Sequence, residues 1–132
     1  MVEERTKHTI LIVEDDSPTL DVLVDKLTLE GFNTLQARDG EEGLLIANRD
    51  HPDILLLDII MPKMNGLEVM KRLRAESTWG KNVPVILLTN VSPDEEKTKR
   101  SVSESEPAYY LIKTDWSISD VIKKVREILN KS

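Results

Sequence analysis

Two stretches of this chain, ILIV (Ile10–Val13) and the longer DILLLDII beginning at Asp53, carry apolar residues without alternation. A strand with one face in water alternates apolar and polar side chains, so an unbroken apolar run of this length marks a strand buried on both faces. Strands of that kind occupy parallel sheets, and parallel neighbours need a crossover, usually a helix. Everything else in the chain has to satisfy that requirement.

The segments between and beyond these runs do so. Ser17-Pro18 opens a helix, with Ser at the cap and Pro in the first turn. Leu20, Leu23, Val24 and Leu27 form its apolar stripe, and Gly31 stops it. FNTLQA (Phe32–Ala37) reads as the second strand. Asp39 with Glu42 is a capping-box pattern for a second helix that ends near Asn48, and His51-Pro52 breaks the chain before the third strand. Asn65, Gly66 and Glu68 start a third helix with Leu67, Met70 and Leu73 on one face; TWGKN then reads as a loop. VPVILLT (Val83–Thr89) is the fourth strand. Ser92, Pro93 and Glu95 signal a fourth helix over 94–106, whose single apolar residue, Val102, anchors it weakly. AYYLIK (Ala108–Lys113) is the fifth strand, and Ile118, Val121, Ile122, Val125, Ile128 and Leu129 form the stripe of a last helix. Five β-α units in series predict a doubly wound five-stranded parallel sheet with five helices, and 2-1-3-4-5 is the common strand order at this length.

The totals narrow the function. With 132 residues, 39% of them hydrophobic, the chain suits one domain over 1–132 with a core of about 8–131 and no output domain attached. Eighteen Lys+Arg against 24 Asp+Glu give a net charge of -6, which disfavours direct nucleic-acid binding. The absence of cysteine removes disulfides, thiol chemistry and Cys-based zinc sites, and His8 and His51 lack ligand spacing. The N-terminal apolar run is too short for a signal peptide or a membrane span, so a cytoplasmic location is expected.

In an open α/β sheet, ligands sit beyond the carboxyl ends of the strands at the switch in strand order. Strand 1 delivers Glu14, Asp15 and Asp16 to that edge and strand 3 delivers Asp58, while the neighbouring strands end in Thr89 and Lys113. Clustered carboxylates repel one another, and a hard divalent cation such as Mg2+ offsets that repulsion through oxygen ligands. The third acid, Asp16, suits the N-terminal charge of the first helix instead. A metal beside a free Asp, a Lys and a Thr provides for phosphoryl transfer: a carboxylate nucleophile, charge neutralisation and a hydroxyl donor.

At these residues the sequence resembles the receiver domain of two-component response regulators, a flavodoxin-like fold. The likeness runs through ILIVEDD, ARDGEEGL, PDILLLDIIMPKMNGLEV, PVILLT and YYLIK, nearly the whole chain. The resemblance implies Asp58 as phosphoacceptor, Glu14 and Asp15 as the acidic pair serving Mg2+, and the backbone carbonyl of Ile60 as a further metal ligand. It implies Thr89 as the switch hydroxyl, Lys113 as the phosphate-pairing lysine and Tyr110 as the aromatic that follows Thr89. A histidine kinase or histidine phosphotransfer protein would supply the phosphoryl group. Output would be protein–protein contact with a downstream target through the face made by the fourth helix, fifth strand and last helix, with no nucleic acid, no membrane, and a monomer or phosphorylation-dependent dimer. Such a protein is a signalling phosphoacceptor, not an enzyme acting on other substrates.

The chain also departs from the family pattern. Thr114 stands where proline usually follows the lysine, and Asn90 where a small residue usually follows the threonine. Ile60 and Val91, at positions resembling the family's tuning sites for hydrolysis, are both apolar, which leads us to expect a long-lived phosphoryl group. Two other readings stay open at this point. One is a degenerate receiver that binds a partner without phosphorylation. The other is an Mg2+-dependent phosphatase on small molecules, which would commonly need a second acid two residues past the nucleophile, where this chain has Ile60.

Overall fold

The computed structural model describes residues 7–89, 109–112 and 117–130. Five strands, β1 (Thr9–Val13), β2 (Asn33–Ala37), β3 (Ile54–Asp58), β4 (Val85–Thr89) and β5 (Tyr109–Ile112), form one sheet. Its order is β2-β1-β3-β4-β5 and every pairing is parallel. The described helices are α1 (Ser17–Leu29), α2 (Gly40–Asp50), α3 (Gly66–Glu76), the short α4 (Thr78–Asn82) and α5 (Ile118–Asn130). None of them is long and apolar enough to cross a membrane. The helix expected over 94–106 lies outside the described residues, as do Asn90, Val91, Lys113 and Thr114.

The unbroken apolar runs divide by the pleat of the sheet. Leu11, Val13, Leu55, Leu57, Val85 and Leu87 point to one face, where Ala47 of α2 and Val69, Met70 and Leu73 of α3 cover them. Ile10, Ile12, Ile54, Leu56, Ile86 and Leu88 point to the other, under Leu20, Leu23 and Leu27 of α1 and Val121, Val125 and Leu129 of α5. A side chain fully removed from water in this way contributes roughly 1.5–3 kcal/mol. The whole of β3 is buried, whereas edge strand β2 carries exposed residues at Asn33 and Gln36.

Helix ends follow local chemistry, with two corrections to expectation. The α1 cap is Asp16, not Ser17: the Asp16 carboxylate accepts from Thr19 N at 3.0 Å and also from the Thr19 hydroxyl. A carboxylate does this at least as well as a hydroxyl and adds negative charge at the positive end of the helix. At the other end Gly31 (φ +97) donates to Thr28 O while Phe32 donates to Leu27 O, the paired bonds of a Schellman stop. The second correction is TWGKN, which is the helix α4 and not a loop. Ser77 caps it by accepting from Gly80 N at 2.9 Å, and Arg74 Nη1 donates to Gly80 O at 2.8 Å and Val83 O at 2.7 Å. A guanidinium donating to two carbonyls supports one helical turn that propensity alone would not hold.

Candidate functional site

Sheet register brings the acids together. Val13 is paired with Leu57, and Asp58 with Leu88, so the residues following β1 leave the sheet level with the last residue of β3. Glu14 N donates to Ala37 O at 3.0 Å, which keeps the chain in ladder geometry for one residue past β1. Glu14 (2% exposed) and Asp58 (6% exposed) are the buried charged residues among those described, within an otherwise apolar core. Asp15 is exposed beside them, and the three residues can offer carboxylate oxygens that all lie within 4.8 Å of one another. Glu14 Oε2 also accepts from Asp16 N at 3.1 Å, so this acid is oriented by the turn it precedes. The Asp16 carboxylate caps α1 by accepting from Thr19 N.

Burying carboxylates next to one another is costly unless cations or hydrogen bonds compensate. Hard oxygen donors of this charge and spacing fit a small divalent cation that retains some of its water, which is the chemistry Mg2+ demands. The fit rests on the donor set and on the burial of two of its members.

The loop after β3 is held by backbone contacts. Gly66 N donates to Ile59 O at 2.8 Å, and Asn65 caps α3 by accepting from Glu68 N at 2.9 Å. A Cβ on Gly66 would lie 2.9 Å from the carbonyl carbon of Asp58 and closer still to its oxygen, so only glycine lets α3 begin against the acidic strand end. Between them, Met64 N donates to Pro62 O at 2.7 Å around Lys63, which has a left-handed φ of +68°. Ile60 is 63% exposed on this loop. On the far side of the sheet switch, Thr89 closes β4 opposite Ile112, and Tyr110 stands in β5 opposite Leu87. Glu14, Asp15, Asp58 and Thr89 therefore share one edge, as expected, while Lys113 lies outside the described residues. What sequence reasoning missed is the role of close approach in shaping this loop, together with the positive φ of Lys63. Neither leaves a hydrophobic pattern, although the glycine in MNG is the signal of the first.

A doubly wound parallel sheet of this order, with acids gathered at its topological switch, defines the flavodoxin-like receiver class. Residues 10–126 match the family model of the response regulator receiver domain, and the chain belongs to that family. Among curated relatives it is 31% identical over 124 residues to the "Probable transcriptional regulatory protein TcrX" of Mycobacterium tuberculosis, covering 94% of this chain and 50% of that protein. It is 40% identical over 86 residues to the "Probable transcriptional regulator ycf27" of Porphyridium aerugineum, covering 65% of this chain and 34% of the relative. The chain thus spans half or less of these curated relatives. Among solved structures, the Francisella response regulator 1452 receiver domain superposes with a TM-score of 0.83 at 28% identity, covering 95% of this chain and 98% of that one. A CheY-like receiver domain protein from Methanospirillum hungatei has a TM-score of 0.86 at 24% identity, covering 96% of each chain, a likeness of fold.

Proposed function

We propose that this chain is a phosphoacceptor receiver that takes a phosphoryl group onto Asp58. The observation that carries the proposal is the burial of Asp58 and Glu14, beside Asp15, at the switch point of a receiver fold. Glu14, Asp15, Asp58 and the backbone carbonyl of Ile60 would hold Mg2+. When bound, this ion supplies positive charge against the carboxylates and against the phosphoryl oxygens.

The remaining work belongs to side chains. The Asp58 carboxylate attacks the phosphorus of a phosphohistidine on a kinase or phosphotransfer protein; the acyl-phosphate bond forms as the nitrogen–phosphorus bond breaks. The Lys113 ammonium neutralises a phosphoryl oxygen and the Thr89 hydroxyl donates a hydrogen bond to another. Reorientation of Thr89, followed by Tyr110, then biases the face formed by 94–106, β5 and α5 toward a downstream protein. Signalling of this kind takes place in the cytoplasm and turns over no other substrate. Ile60, which is exposed, and Val91 are both apolar and position attacking water poorly, so the phosphoryl group is expected to be long-lived; a half-life of seconds would overturn that part.

The deciding experiment is intact mass after incubation with acetyl phosphate, with and without Mg2+, for the parent and Asp58→Asn. One phosphoryl adduct that requires both Mg2+ and Asp58 is expected. A folded parent that shows no adduct, and no beryllofluoride response to exclude rapid hydrolysis, would overturn the proposal in favour of a phosphorylation-independent binding module. Turnover of a phosphate ester would instead indicate an enzyme.

A further inference from the structure

The acidic site is braced from α2, an element that contributes no acid to it. Met64, on the loop that follows Asp58, rests its carbonyl directly on Gly40, the first residue of α2. A Cβ at Gly40 would lie 2.7 Å from the Met64 carbonyl carbon and 2.8 Å from its Cβ, and would overlap the oxygen outright. Gly40 is buried, so nothing larger fits without moving the loop. One residue earlier, Asp39 acts in two directions. Its Oδ1 accepts from Glu42 N at 2.8 Å and caps α2, while its Oδ2 lies 3.7 Å from Lys63 Nζ. Lys63 is the residue held at φ +68°, in the turn closed by Met64 N and Pro62 O. A non-glycine residue stays in that region only where its surroundings enforce it.

We infer that Gly40 and the Asp39–Lys63 pair are positioning residues for the metal site, setting the path of residues 59–64 and with it the place of the Ile60 carbonyl. This rests on the Mg2+ reading above. The physical reason is tolerance: Mg2+ accepts oxygen ligands only near octahedral geometry, so a loop displaced by about an ångström loses a ligand. Lys63 is ion-paired with the α2 cap rather than with Glu14, Asp15 or Asp58, so its pairing tethers the loop to α2.

The test is Mn2+ titration followed by electron paramagnetic resonance of the free ion, with unfolding midpoints measured in EDTA. Gly40→Ala is expected to weaken Mn2+ binding roughly tenfold or more, the range seen when support of a metal ligand is lost. Asp39→Asn keeps the cap and removes the charge, and Lys63→Asn keeps a residue that tolerates positive φ. Each should weaken binding roughly two- to fivefold, about what an exposed ion pair supplies, and the double variant should weaken it no further. Lys63→Arg should restore it, and Leu45→Ala, on the exposed face of α2, should change nothing. A parent that binds no Mn2+ overturns the metal reading and the brace with it. A parent that binds while the variants bind within twofold of it overturns the brace alone, as does a loss that appears only in the EDTA midpoint. If Gly40→Ala does not fold, the Asp39 and Lys63 variants decide by the same criteria.

Discussion

The two ends of the sheet are built on opposite terms. At the amino end of the strands, polar groups are matched. Thr9 N donates to Asp53 Oδ2 at 2.7 Å and Asp53 N returns a bond to Thr9 O at 2.8 Å. Arg74 donates to two carbonyls around α4, His51 stacks on Trp79 at 4.3 Å, and Arg126 holds Glu30 at 2.7 Å over the Phe32 ring. At the carboxyl end, three acids from the ends of β1 and β3 are packed together, two of them buried, beside the loop that holds Lys63 at a left-handed φ. One end pairs unlike polar groups; the other brings like charges together. Like charge gathered at one edge, where the opposite edge pairs donors with acceptors, indicates which edge is functional.

That contrast can be broken by experiment. The largest effect belongs to Arg74→Ala, which deprives two carbonyls of a charged donor. It should cost about 3 kcal/mol in denaturant unfolding while the rate of Asp58 phosphorylation by acetyl phosphate stays within twofold. A parallel loss of rate would mean that the ends are not independent. Next, Mg2+ at about 100 times its dissociation constant should raise the unfolding free energy of the parent by about 2.7 kcal/mol. No increase would leave the acidic cluster without its compensating ion. Asp15→Asn in metal-free buffer of low ionic strength should stabilise the fold by about 1 kcal/mol or less, because it removes one charge of the repelling trio and leaves its shape. A destabilisation would show that the acids are already compensated. Smallest of all, His51→Asn should lower stability by about 0.5 kcal/mol, since Asn tolerates the left-handed φ of 45° at that helix end and only the ring stack on Trp79 is lost. A larger cost, or any change in phosphorylation, would make the amino end more than a structural base.

The sequence made one kind of information plain and concealed another. Residues 10–13 and 54–57 were legible as strands because burial on both faces leaves unbroken apolar runs, and α5 because its stripe repeats at helical spacing. Glu14, Asp15 and Asp58 were legible because a parallel register carries residues at strand ends to a common edge. The short α4 was not, since a five-residue helix containing glycine has no periodicity and depends on Arg74 from the preceding helix. The choice of Asp16 over Ser17 as cap was ambiguous because both side chains can accept the same backbone bond. The contacts of Gly40 with Met64 and of Lys63 with Asp39 join residues 24 apart, and no local pattern records them.

The strand order has a further consequence for the making of the chain. β1 lies between β2 and β3, so a three-stranded sheet is complete once residue 58 has been synthesised. Each later strand then joins the edge opposite β2, next to the strand before it, β4 on β3 and β5 on β4. From β3 onward growth runs in one direction and follows the order of translation. Parallel sheets fold slowly when distant segments must meet first. Here the ribosome delivers the partners in the sequence in which the sheet can use them.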